Sequence, residues 1–148
     1  MDKKKVRDYM TYDVVSVACD GSARDVMEKI RTTNHDGFPV VADNQVVGYI
    51  SARDLLFVSM ETPVRVLMSR NLIVADPDMS ITDAARVIFR SGIQKLPVVD
   101  EKNHLLGIIS NSDVIRSQIE RVSPEKVFNF MTTLKKLYNV DSVLNRGS

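Results

Sequence analysis

The sequence predicts an α/β fold made of two copies of one β-α-β-β-α unit, followed by a C-terminal helix. Three observations carry this: an internal repeat, apolar runs of buried-strand length, and Ser-x-x-Asp boxes at matching places in both copies. Met10 falls on Met68, Asp20 on Asp78, Ser22 on Ser80, Asp25 on Asp83, Ile30 on Ile88, and Pro39-Val40-Val41 on Pro97-Val98-Val99. One extra residue in the second turn shifts the frame, and the match continues through Asn44/Asn103, Gly48/Gly107, Ser51/Ser110 and Asp54/Asp113. The expected organisation is a first repeat over 1–60, a second over 61–118, and a helix with tail over 119–148. Either half alone is too short to bury enough surface, so the halves are expected to pack together.

Each repeat opens on a short apolar strand, Val14 to Val17 and Leu72 to Val74. Helices start at Ser22 and Ser80, where the Ser takes an orphan backbone N–H and the acid three residues on, Asp25 or Asp83, reaches back. Their apolar stripes are Val26, Met27 and Ile30, then Ala84, Ala85, Ile88 and Phe89. Two strands follow in each half, Phe38–Ala42 with Val46–Ile50 and Leu96–Asp100 with Leu105–Ile109, joined by Asp43-Asn44 and Glu101-Lys102-Asn103 turns. The near-continuous apolar runs predict strands buried on both faces, with Pro39 and Pro97 close to the strand starts. A second helix is expected at Ser51 and at Ser110. In the tail, Ser123-Pro124-Glu125 is a helix start, and Val127, Phe130, Met131, Leu134 and Leu137 recur at helical spacing. This stripe either covers the repeats or meets a second copy or a further domain.

Composition narrows the function. In 148 residues, Lys+Arg 20 against Asp+Glu 19 leave a formal charge of +1, without the basic excess of a dedicated nucleic-acid binder. The apolar runs are far below the ~18 residues of a membrane span. Lys3-Lys4-Lys5 is followed by no apolar signal region, and the single cysteine, Cys19, makes no intramolecular disulfide. The expectation is a cytoplasmic protein without a membrane partner. Phosphate-loop, nucleophile-elbow, dinucleotide and zinc-protease motifs are absent from the sequence, so neither an enzyme nor a cofactor or metal site is expected. His35 reads as a partly exposed loop residue and His104, beside Asp100, as part of a solvated turn cluster.

The chemistry concentrates where a buried strand runs into a helix start, at Gly48-Tyr49-Ile50-Ser51-Ala52-Arg53-Asp54 and Gly107-Ile108-Ile109-Ser110-Asn111-Ser112-Asp113. Free N–H groups and a Ser hydroxyl suit a phosphate; an ionised Asp, acceptor-only, suits the two hydroxyls of a ribose. Gly48 and Gly107 are read as room for a ligand to approach the backbone. On spacing alone, all four Ser-x-x-Asp boxes are equally explained as helix caps.

The ordered set Met-Thr/Ser, short strand, capped helix, Leu/Phe-Pro-Val-Val and Gly-x-Ile-Ser-x-x-Asp, present twice, resembles a tandem pair of CBS domains, the Bateman module. The resemblance implies pseudo-twofold packing of the repeats and two clefts binding an adenosine compound: AMP, ADP, ATP or S-adenosylmethionine. It also implies a regulatory role toward an effector domain or protein, and a homodimer. Carried over residue by residue, it assigns Ser51, Asp54, Ser110 and Asp113 to phosphate and ribose. The base pocket would fall to the first strands, with Val15, Leu72 and Ile73, and to Phe38, Ile93 and Leu96. Lys95 stands where phosphate-binding relatives carry a basic residue. The first repeat has Asp36-Gly37 there, with Arg53 its nearest cation, so AMP is expected to prefer the Lys95 side. Two other readings remain: a dimerisation module without ligand, and a nucleic-acid-associated regulator using the basic arm and Lys135-Lys136.

Overall fold

The computed structural model describes residues 4–119 and 123–138. They form two compact units, one of Val15–Ile73 and one joining 4–14 to 74–138. The units are therefore offset from the sequence repeats. The segment that leads into each repeat packs with the hairpin of the other.

In the Val15–Ile73 unit, β1 (Val17–Ala18) lies parallel to β2 (Gly37–Ala42), which pairs antiparallel with β3 (Gln45–Ser51). Helix α1 (Ala23–Thr33) crosses from β1 to β2, and α2 (Val64–Leu67) closes the unit. Val17, Ala23, Val26, Phe38, Val40, Ile50, Leu55, Val64 and Met68 make the core. At the start of α1 the acid reaches back as expected, the Ser22 N–H donating to Asp25 Oδ2 at 2.9 Å, while Ser22 Oγ donates to the same oxygen and does not cap the Asp25 N–H; Asn34 ends the helix at φ 62°. Asp43 and Asn44 both take positive φ, 52° and 64°, as a two-residue hairpin turn requires.

In the second unit, α3 (Ile81–Ser91) is capped by Ser80 Oγ, which accepts from the Asp83 N–H at 3.0 Å, and it ends on Gly92 at φ 72°. Strands β4 (Lys95–Val99) and β5 (Leu105–Ser110) form the hairpin, with Asn103 at φ 67° in its turn, and α4 (Asn111–Ser117) follows directly. Helix α5 (Pro124–Tyr138) completes the unit.

Several expectations change. The first strands shrink to Val17–Ala18 in one unit and to a single bridge, Ala75 with Val98, in the other. The cause is Pro39 and Pro97, each third in its strand. Neither offers an N–H to the parallel neighbour, so pairing starts at the residue after each proline, Val40 and Val98. The helix expected at Ser51 is one 3-10 turn, Ala52–Leu55, ended by an extended Leu56 and by Phe57 at φ 62°. In the stripes, Val26 and Ile88 are buried while Met27 and Phe89 face outward. No ligand is needed to explain Gly48 or Gly107: the chain itself comes close. A Cβ on Gly107 would lie 2.7 Å from Thr11 O, and one on Gly48 2.6 Å from Met68 Sδ and 2.9 Å from Ser69 O.

Helix α5 rests on its unit through polar contacts more than through burial. Lys126 Nζ donates to Met10 O at 2.7 Å, the Arg7 guanidinium sits 5.3 Å from the Phe130 ring centroid, and the Tyr138 hydroxyl donates to Asp100 Oδ2. Phe130 and Leu134 are half-buried, whereas Val127, Phe128 and Met131 are exposed. The Asp100–His104 cluster is half-buried instead of solvated, with His104 Nδ1 3.0 Å from Asp100 Oδ2 and edge-on to Tyr138. Burial alone would raise the Asp100 carboxyl; hydrogen bonds from Tyr138 and from the His104 backbone and ring hold it below the usual carboxylate value.

Candidate functional site

The two strand-to-helix junctions are built alike. In the first unit Ser51 is the last residue of β3, opposite Gly37, and the Ala52 N–H donates to Asp36 O at 2.8 Å. The Ser51 N–H donates to Asp54 Oδ2 at 2.9 Å, and Ser51 Oγ to the same oxygen at 3.3 Å. Asp54 is half-buried, and among the described residues its Oδ1 takes no hydrogen bond. Arg53 beside it is exposed and unpaired among those residues.

In the second unit Ser110 ends β5 opposite Lys95, and the Asn111 N–H donates to Gln94 O at 3.1 Å. Hydrogen bonds from the Ser110 N–H and Oγ again reach one carboxylate oxygen, Asp113 Oδ2, at 2.9 and 3.1 Å. The other oxygen differs. Asp113 Oδ1 is 2.6 Å from Arg116 NH2, which also donates to Tyr9 O at 3.3 Å, and Asp113 is only 3% exposed.

The fold thus gathers Lys95, Ser110 and Asp113 at one junction and Ser51, Arg53 and Asp54 at the other. Ile93 borders an apolar groove of about 410 Å³ between α3 and α4, together with Phe89, Val114 and Ile115. Val15, Leu72 and Ile73 are half-buried. Phe38 and Leu96 are 0% exposed, so they sit in the core beneath the junctions, where neither presents an open wall.

Sequence reading missed two neighbours. Tyr49 stands against Gly37, where an added Cβ would be 2.7 Å from its hydroxyl; burial, and after it the Asp36 charge, raises the Tyr49 phenol. Arg116 is the other. Its signal was available, since opposite charges three residues apart on a helix meet, and its counterpart in the first repeat is Phe57. No cluster of His, Cys, Asp and Glu among the described residues is arranged to hold a metal, and no helix among them is long and apolar enough to cross a membrane.

A repeated hairpin-and-helix unit, each with a Ser-x-x-Asp junction, defines a two-repeat α/β module. The CBS domain model matches residues 6–61 and 64–120, and the chain belongs to that family. It is 44% identical over 139 residues to an uncharacterized protein of Methanocaldococcus jannaschii, covering 92% of this chain and 52% of that protein. It is also 39% identical over 87 residues to the inosine-5'-monophosphate dehydrogenase of Thermoplasma acidophilum, covering 59% of this chain and 18% of the enzyme. The chain thus spans about half the length of the first relative and under a fifth of the second. Among solved structures it resembles the CBS-pair protein CBSX2, known from Arabidopsis thaliana and solved in complex with AMP, with TM-score 0.73, 30% identity, 80% of this chain and 99% of that one.

Proposed function

We propose that the chain is a regulatory module that binds an adenosine compound, AMP, ADP, ATP or S-adenosylmethionine, and passes its occupancy to an effector domain or protein. The observation that carries the reading is the pair of matching junctions, Ser51/Asp54 and Ser110/Asp113, in a chain 30% identical to a protein solved with AMP. Lys95 and Arg53 are the cations that flank the two junctions for a phosphate, and each Ser hydroxyl would leave the Asp oxygen it caps to donate to it. A carboxylate of this motif takes the ribose hydroxyls. In the first unit Val15, Leu72 and Ile73, with Phe38 beneath, supply apolar surroundings for a base; in the second unit Ile93, with Leu96 beneath, does so. The role is regulatory, without catalysis, and the protein works as a cytoplasmic homodimer. The faces that favour a dimer are exposed and apolar, with Phe89 88% and Ile115 63% exposed.

Thermal melting against the four compounds, with a short DNA duplex and an RNA as further arms, tests this. A ligand at 100 times its Kd stabilises by about 2.7 kcal/mol. At roughly 2–4 °C per kcal/mol the expected rise is about 5–11 °C. A shift with nucleic acid alone, or with none of the compounds, overturns the reading.

A further inference from the structure

We infer that Arg116 keeps the carboxylate of the second repeat closed, so that a ligand ribose is taken at Asp54 and not at Asp113. The inference rests on the adenosine-binding reading above and concerns which of two matching acids is available to it, and it reverses the preference for the second junction that the charge of Lys95 alone favours. An ionised carboxylate is an acceptor with two oxygens, and in both junctions the Ser caps one of them. A ribose diol therefore depends on the second oxygen. In Asp54 that oxygen, Oδ1, accepts nothing among the described residues, and the side chain is half-buried. In Asp113 it is held at 2.6 Å by the Arg116 guanidinium in a residue 3% exposed.

Displacing Arg116 exchanges a hydrogen bond between two opposite charges for one from an uncharged hydroxyl, leaves the guanidinium without its carboxylate, and also releases it from Tyr9 O. The difference between the repeats comes from local backbone. Helix α4 continues to Ser117, which sets residues 113 and 116 on one face. After Asp54 the 3-10 turn stops at Leu55, and the residue equivalent to Arg116, Phe57, is fully exposed at φ 62°. Nothing on the first unit's own turn closes Asp54.

Titration calorimetry of the full chain with AMP, and with 2'-deoxy-AMP as the hydroxyl-deletion probe, tests the assignment. Wild type is expected to bind one AMP per chain, and Asp54→Asn to weaken it about tenfold or more, the scale of a lost charged hydrogen bond. Arg116→Gln is expected to gain a second AMP per chain, sensitive to the 2'-hydroxyl, while Arg116→Lys, which keeps a cation at that spacing, stays at one. Two equal AMP sites in wild type, or no second site in Arg116→Gln, overturns the inference and leaves adenosine binding standing. If Arg116→Gln does not melt cooperatively, Asp54→Asn decides: unchanged AMP affinity there overturns the inference as well. No binding of AMP, ADP, ATP or S-adenosylmethionine by wild type or any variant overturns the functional reading itself, and the inference with it.

Discussion

Substituting Gly107 by alanine tests the claim that the chain's own leading segment fills the space above this glycine. The added Cβ would stand 2.7 Å from Thr11 O and 3.0 Å from Met10 Sδ. Neither neighbour yields easily. Thr11 is tied to Ile108 by two backbone hydrogen bonds, N–H to Ile108 O at 2.8 Å and O from the Ile108 N–H at 3.0 Å, and Met10 is 0% exposed. Overpacking of this kind costs about 1–3 kcal/mol, and stretching the two hydrogen bonds adds about 1 kcal/mol. Against this, alanine restricts the unfolded chain and returns about 0.4–1 kcal/mol. The net expectation is a loss of about 1–3.5 kcal/mol, a fall in Tm of roughly 2–14 °C. Urea unfolding followed by circular dichroism measures it through the midpoint at constant slope. Gly48→Ala is the companion, expected to cost a similar amount because its Cβ would meet both the buried Met68 Sδ at 2.6 Å and the backbone Ser69 O at 2.9 Å. A Gly107→Ala midpoint equal to wild type would refute the close-approach argument, because the backbone at Thr11 would then have to move without cost.

Two further outcomes follow from the structure. Asp100 has a folded pKa below its unfolded value, so its contribution is present above about pH 4 and is lost as pH falls through the folded value. Tyr138→Phe, which deletes one of the hydrogen bonds responsible, is expected to destabilise at neutral pH by an amount that shrinks in acid; a pH-independent difference in melting counts against the cluster. For assembly, light scattering at micromolar concentration is expected to give a dimeric mass, reduced toward the monomer by Phe89→Glu on the exposed α3 face. A monomeric wild type sinks that expectation.

The sequence by itself determined whatever depends on neighbours in the chain. Ser22/Asp25 and Ser80/Asp83 set helix starts because a cap closes within three residues. Asp43-Asn44 set a hairpin because those residues tolerate positive φ. The repeat itself, with its paired Pro-Val-Val and Ser-x-x-Asp segments, was legible for the same reason. Tertiary structure alone decided what depends on residues far apart. It placed Thr11 over Gly107 and Ser69 over Gly48, so that the glycines serve the chain's own backbone. It closed Phe38 and Leu96 into the core, although both stand beside junction residues in sequence. Asp54 and Asp113 share one motif, yet among the described residues Asp113 has both oxygens taken and Asp54 has one without a partner. That difference arises because one turn continues as a helix and brings Arg116 round to the carboxylate, while the other breaks at Leu56 and turns Phe57 away. Spacing in a motif fixes which oxygen the cap takes, but the path of the chain beyond it fixes what reaches the other.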